Sequence, residues 1–519
     1  MSTGQVIARA AMVIIAMSLL SRLLGFGREV AIAHQFGATA ATDAYVLAFT
    51  IPYLFLGVVG GAMAATVVPV FTEYAAAGRR DEAWRLFSSV INALTLALLA
   101  VTALGIMLSP YLVRVMAPGF PGETEKLAVL LLQIMLPSVL FLVMGNVFMG
   151  LLNANNVFGP SAFGPGAMNI GIIFSALVLG RLYGIEGLAA GTVGGAALSA
   201  LIQVPFLYKA GFRWHPSLDL RHPGARKLFG LMLPVLAAIG LAQGYILIER
   251  MLASGLAEGS IAALNYAFKL LLLPQGLFVV AISMAVFPTL SRLAAEGKVE
   301  EMAGILVKGI KFIFLISIPA GVGMMILREP VITLLFQRGA FDERASAMTA
   351  TALLFYSAGL VGQSLSPLLI RGFYALQDVY TPLKVTLAMV TVNVVSALLL
   401  IGPLQHGGLA LANSIGITFN MVVLVWLLQR RMPGIVDWSL LRFCAGALVS
   451  AGVMAVAVYG FDTFLASQIT GGGMALAVRV AANILVGAAV YFIMAFLLRL
   501  DELTMVADMG RQLLQKVRG

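Results

Sequence analysis

A single cysteine, Cys444, excludes an internal disulfide framework and a thiolate metal cluster. Histidine is almost as scarce. The four, His34, His215, His222 and His406, lie scattered near segment ends, with no HExxH motif and no paired carboxylates. Nothing in that set supports hydrolytic or metal chemistry. Charge is scarce too: 11% of the 519 residues are charged, against about 25% in soluble domains. What fills the chain instead is apolar, 61% of residues, with a mean hydropathy of +0.99. This is the composition of an all-α polytopic membrane protein. A membrane glycosyltransferase or ligase would need acids or a histidine at a pore mouth and a sizeable outer domain, and the outer loops are short. An enzyme is therefore not expected, nor any cofactor.

Apolar stretches of about 20 residues, the length that crosses a bilayer, fall near 6–33, 44–70, 86–111, 127–152, 160–181, 186–208, 228–254, 261–288, 302–327, 346–370, 381–403, 408–429, 439–461 and 473–498. Fourteen spans are expected. With the N-terminus inside, 22 of the 33 Lys and Arg lie on cytoplasmic ends and loops, six on outer ones and five within spans. The bias places both termini in the cytoplasm. It also accounts for the net charge of +10 without nucleic acid. Arg9, the apolar run and Ala31-Ile-Ala33 imitate a signal peptide, but Arg22 interrupts the run and the segment is expected to be kept.

The two halves repeat. Arg28, Ala31, Gly37 and Asp43 match Arg250, Ala253, Gly259 and Asn265 at an offset of 222 residues. Val67, Pro69, Ala75, Ala76, Gly78 and Glu82 match Val286, Pro288, Ala294, Ala295, Gly297 and Glu301 at 219. Gly150, Val157 and Pro160 match Gly372, Val379 and Pro382 at 222, and Gly187-Leu-Ala189 matches Gly408-Leu-Ala410 at 221. A repeat of six spans gives two lobes of the same topology, related by an axis along the membrane normal. The expected organisation is an N-terminal lobe at 1–208, a cytoplasmic linker at 209–227, a C-terminal lobe at 228–430, two extra helices within 431–500, and a cytoplasmic tail at 501–519. Five cations against Asp219 place the linker at the anionic cytoplasmic leaflet.

The polar residues inside spans are the functional candidates. A charge at mid-bilayer costs about 2.5–3.5 kcal/mol on insertion scales, so such residues usually face a bundle interior or a wet cavity. Ser21, Gly25 and Arg28 share one helical face, with Arg22 roughly 100° around from Ser21. Gly25 and Gly27 weaken the helix between the arginines and form a candidate hinge. Two guanidiniums there suit a phosphate-like group, which Arg binds bidentately; the bland alternative is Arg28 snorkelling outward beside Glu29. Asp43 reads equally as a helix cap or as a partner for Arg28. In the second half Glu249 and Arg250 share span 7, and Asn265 and Lys269 share a face of span 8. Glu249, with Asn393 in span 11, is a candidate site for a coupling cation or proton; the alternative is that Glu249 and Lys269 neutralise each other. Arg479 reads as a helix-end marker. Arg22, Arg28, Arg250 and Lys269 outweigh Glu249 and Asp43, so an anionic substrate is favoured over the organic cations of a multidrug exporter.

Four stretches carry a family resemblance: SRLLGFGREVAIAHQFGATAATDAYVLAFTIP (21–52), LLNANNVFGPSAFGP (151–165), LFQRGAFDERA (335–345) and YALQDVYTPLK (374–384). Together they resemble the MurJ (MviN) lipid II flippases of the MOP exporter superfamily, over essentially the whole chain. The resemblance implies a V-shaped pair of six-helix lobes around a cationic cavity, with helices 13 and 14 lining a groove for the undecaprenyl tail. By motif position it assigns substrate roles to Ser21, Arg22, Arg28 and Asp43, and the helix 8 cation to Lys269. Leu56 and Leu272 stand where other members carry a basic and an acidic residue. Implied further are lipid II as substrate, surrounding membrane lipids, cell-wall synthesis proteins as candidate partners, a monomer, and the bacterial inner membrane. Coupling to membrane potential or to a monovalent cation is expected. The alternatives are a flippase for another undecaprenyl-pyrophosphate glycan, a MATE-like multidrug exporter, and a non-transporting division scaffold.

Overall fold

The computed structural model describes residues 3–275, 280–468 and 471–500; the tail expected at 501–519 lies outside them. All regular structure among the described residues is helical, and the chain forms two compact units. Residues up to Asn265, with Arg338–Ala345, make the first. It contains α1 (Thr3–Phe36), α2 (Ala40–Phe55), α3 (Gly61–Ala76), α4 (Arg80–Met116), α5 (Gly122–Met135), α6 (Ser138–Ala154), α7 (Phe158–Phe174), α8 (Gly180–Leu201), α9 (Val204–Lys209), α10 (Pro223–Ala253) and the start of α11 (Ser260–Pro274). Tyr266–Gln337 and the residues from Ser346 on make the second. There α12 (Val280–Ala295), α13 (Val299–Ile326) and α14 (Arg328–Phe336) are followed by α15 (Glu343–Ala358), α16 (Leu360–Ala375), α17 (Tyr380–Arg431), α18 (Trp438–Gln468) and α19 (Gly473–Leu497).

Seven helices among the described residues are long and apolar enough to cross a membrane, or up to nine if each of two bent pairs is one span. Two of the seven, Phe158–Lys209 and Tyr380–Arg431, run 52 residues, more than twice what a bilayer of about 30 Å needs. Each holds two of the apolar stretches read from sequence. They are joined at one residue outside helical geometry, Gly184 (φ 62°, ψ −151°) in the first and Gln405 (φ 49°, ψ −127°) in the second. A count of continuous apolar helices therefore falls below fourteen.

Those two breaks lie 221 residues apart, the offset of the Gly-Leu-Ala match beside them. Gly37 and Gly259 both take positive φ at an offset of 222, as do Gly78 and Gly297 at 219. The backbone thus repeats its exceptional conformations at the spacings where the residues repeat.

Each unit has its own core. In the first, Phe71 stacks at a tilt on Trp84 (4.6 Å between centroids) and Phe87 (5.7 Å), and Phe212 meets Trp84 edge-on (5.6 Å). In the second, Leu306, Ile310, Leu368, Phe373 and Leu424 are fully buried in one cluster, while Phe443, Met454 and Tyr491 seat α18 and α19 against α13 in another. Leu104, Met107, Leu399 and Leu485 stand exposed, the apolar exterior a bilayer solvates.

The last two helices are pinned by a polar cluster inside this apolar setting. Arg479 donates through Nε to Asp462 Oδ1 (2.7 Å) and through Nη2 to Oδ2 (2.6 Å), and Asn483 donates to Oδ1 (2.7 Å). Arg479 is thus one half of an interhelical ion pair, which sequence reading took for a helix-end marker. Asp462→Leu leaves a guanidinium and an amide unpaired there, and is expected to cost roughly 3 kcal/mol. The measurement is the thermal midpoint of the detergent-solubilised protein.

Candidate functional site

The face shared by Ser21, Gly25 and Arg28 meets one residue of α7. Asn169 donates through Nδ2 to the Ser21 carbonyl (3.1 Å), and its Oδ1 accepts from Arg28 Nη1 (3.1 Å). Gly25 makes the approach feasible: a Cβ there would press within 3.3 Å of the Asn169 amide nitrogen. α1 runs unbroken through Gly25 and Gly27, and Gly27 opens onto Ile173 of the same partner helix. In this conformation the two glycines serve close packing.

Arg28 does not snorkel. Its side chain is 16% exposed, and Nη2 pairs with Glu29 Oε1 at 2.5 Å, the Glu29 side chain being only 4% exposed. The second oxygen of Glu29 accepts from Asn265 Nδ2 (3.2 Å) on α11. Glu29 and Asn169 thus satisfy a guanidinium that would otherwise be stranded in apolar surroundings. Arg22 is exposed, between the exposed Leu19 and Leu23, and Ser21 is buried with no partner for its hydroxyl.

Asp43 neither caps its own helix nor pairs with Arg28. Thr39 is the N-cap of α2. The Asp43 carboxylate accepts from the backbone N–H of Gly259 through Oδ2 and of Ala262 through Oδ1, both at 2.7 Å. A carboxylate from α2 therefore caps α11, where exposed N–H groups and the helix dipole favour negative charge. Matched positions of the repeat both reach across: Asp43 to the turn before α11, and its mate Asn265 back to Glu29. Asp43→Ala is expected to cost about 1–3 kcal/mol, and Asp43→Asn less because one acceptor survives. Thermal unfolding of the two variants side by side checks the order.

Arg250 lies within electrostatic reach of Asp43, and its Nε and Nη1 are buried without a hydrogen-bond partner. Glu249, beside it on α10, is half-buried. Lys269 and Asn393 belong to the second unit. Lys269 is half-buried on α11, and Asn393 is half-buried on α17 facing Gly416. Among the described residues no group of three or more His, Cys, Asp or Glu side chains converges as a metal site requires.

Sequence reasoning missed two members of the best-formed cluster. Glu29 entered the sequence reading only as the residue beside a snorkelling Arg28. Asn169 carried no charge to mark it, although an asparagine amid the apolar run of α7 was a usable signal.

Residues 32–480 match the sequence model of a family described as lipid II flippase MurJ. A lipid II flippase MurJ of Burkholderia cenocepacia is 31% identical over 468 residues, 88% of this chain and 90% of that protein. Among solved structures, a lipid II flippase MurJ in an inward closed conformation superposes with a TM-score of 0.79 at 25% identity, over 95% of this chain and 100% of that one. An inward-facing MATE family multidrug resistance transporter of the MOP superfamily shares the fold, with a TM-score of 0.68 at 17% identity over 82% of this chain and 98% of that one.

Proposed function

We propose, because the chain belongs to the lipid II flippase MurJ family, that it carries lipid II across the bacterial inner membrane from the cytoplasmic to the outer leaflet. It is a transporter, not an enzyme. The observation that carries the reading is the arginine of α1 held deep in an apolar helix pair by one acid and one amide, Glu29 and Asn169.

The problem the protein faces is a large polar head group tethered to a lipid tail. Hydrocarbon excludes the pyrophosphate unless fixed charges replace its water. Arg28 is suited to that exchange, since guanidinium donors can pass from Glu29 to a phosphate without ever facing hydrocarbon bare. Arg22, Arg250 and Lys269 supply further positive charge, and Ser21 and Asp43 complete the set. The full architecture is fourteen spans, with both termini cytoplasmic. Two six-helix lobes rock about a central cationic cavity, and the last two helices hold the tail. Gly25 and Gly27 let α1 bend as the cavity closes. An inside-negative potential drives an anion outward with about 2.3 kcal/mol per charge per 100 mV. Glu249 and Asn393 are the candidates for binding a coupling cation.

The test is transbilayer movement of fluorescent lipid II in vesicles containing the purified protein, read by a membrane-impermeant reductant. Wild-type protein is expected to move it and Arg28→Ala to slow it at least tenfold, since a charged hydrogen bond is worth about 1.5–3 kcal/mol. Equal rates in protein-free vesicles, or an undiminished Arg28→Ala, would overturn the reading.

A further inference from the structure

Between α9 and α10 the chain passes through residues 212–219 without helix, and one face of α4 receives it. Asn92 Nδ2 donates to the carbonyls of His215 and Ser217 (2.9 Å each), and its Oδ1 accepts from Trp214 Nε1 (2.9 Å). The Ser88 hydroxyl accepts from the His215 N–H (3.3 Å), and the hydroxyls of Ser89 and Ser217 lie 2.8 Å apart. Three polar side chains of α4 thus take up the backbone of an irregular segment.

The side chains alternate. Arg213, His215, Ser217, Asp219 and Arg221 are polar, while Trp214, Pro216, Leu218 and Leu220 are apolar. His215 and Ser217 turn toward α4 and are partly covered. The apolar set is left largely bare, with Leu218 55% exposed, Leu220 44%, and Trp214 54% although its Nε1 reaches Asn92. A strap lying in water would not leave three large apolar side chains bare side by side. Satisfied backbone beneath and apolar side chains outward is what a membrane boundary demands, and tryptophan is the residue that favours that depth.

The charges fit an anionic leaflet. Asp219 spends its carboxylate on the N–H groups of Arg221 and His222 (3.1 Å each). Lys227 pairs with Glu73 at 2.5 Å. Arg221 and Arg226 are exposed and have no acidic partner among the described residues.

We infer that residues 213–221 seat in the headgroup boundary of an anionic phospholipid leaflet, with Trp214, Leu218 and Leu220 against acyl chains and Arg221 and Arg226 at the phosphates. The inference goes beyond the flippase reading and holds or fails without it. Anchored there, the strap fixes the start of α10, whose N-terminus His222 caps by accepting from the Gly224 N–H at 3.1 Å.

The test uses the full chain in nanodiscs, subtracting the emission of Trp214→Phe from that of the wild type to isolate Trp214. Brominated phosphatidylglycerol in a phosphatidylcholine disc is expected to quench that emission, and more strongly than the same fraction of brominated phosphatidylcholine. Substituting Arg221→Gln with Arg226→Gln should abolish the difference between the two lipids. A nitroxide on Leu218→Cys, in a Cys444→Ala background, should collide with oxygen more than with an aqueous nickel chelate. Trp214 emission quenched by iodide and untouched by either brominated lipid overturns the inference. Equal quenching by the two lipids overturns its anionic part.

Discussion

Glu29→Ala is expected to cost the protein roughly 3–5 kcal/mol, the largest loss among single substitutions of the candidate site. The reason is what remains behind. Arg28 would keep its charge in a side chain 16% exposed, with only the Asn169 amide left to receive it, and the Asn265 amide would lose its acceptor. Removing both charges should hurt less than removing one, because an uncompensated buried charge is the costly species. Arg28→Met combined with Glu29→Leu should therefore recover most of the thermal midpoint lost by Glu29→Ala. Transport should not recover. If Arg28 binds the pyrophosphate, the double variant is a folded protein that does not flip lipid II. If Arg28 only balances Glu29, the double variant regains activity along with stability. The pair of readouts separates a substrate ligand from a structural ion pair.

Gly37→Ala and Gly259→Ala should each cost more than the matching changes at Gly78 and Gly297, although all four glycines take positive φ, between 65° and 85°. Backbone strain alone is worth about 1–3 kcal/mol at any of them. At Gly78 and Gly297 a Cβ meets open space, and strain is the whole effect. At Gly37 the added carbon would collide with the carbonyl of Ala340, and at Gly259 with that of Ala38. Both are backbone oxygens, which yield less readily than the far end of a flexible side chain. Ala340 is itself tied down, its N–H donating to the His34 carbonyl at 2.9 Å, and Gly259 donates to Asp43. Thermal unfolding of the four alanine variants gives the test. Comparable losses at all four would mean that the close approaches do not constrain these turns.

The sequence made some of this legible and hid the rest for physical reasons. Charges in apolar runs stand out because insertion is costly, so Arg28 was visible from its surroundings alone. The repeat was visible because the backbone demands the same residue at the same break, as at Gly37 and Gly259. Partners were harder. Arg28 meets Asn169 across 141 residues, and no local pattern predicts which uncharged amide in a distant helix will face it. Asp43 followed a sound local rule, a carboxylate near a helix N-terminus, but serves a different helix, because Thr39 already caps its own. Spans were legible even where helices run on: the apolar stretches separate at Gly184 and at Gln405, the single residues that end one helix and begin the next. The linker's cations stood out in the sequence as a charge pattern. Its outward apolar alternation gained meaning only when Asn92 and the two serines of α4 showed which side faces in.

The most direct test of the central claim is the exposure of lipid II in cells depleted of this protein, probed with an externally added lipid II-cleaving enzyme. The account predicts that lipid II accumulates but stays protected, that wild-type protein restores cleavage, and that Arg28→Ala does not. Lipid II that remains fully cleavable in depleted cells lacking any other lipid II flippase would contradict it.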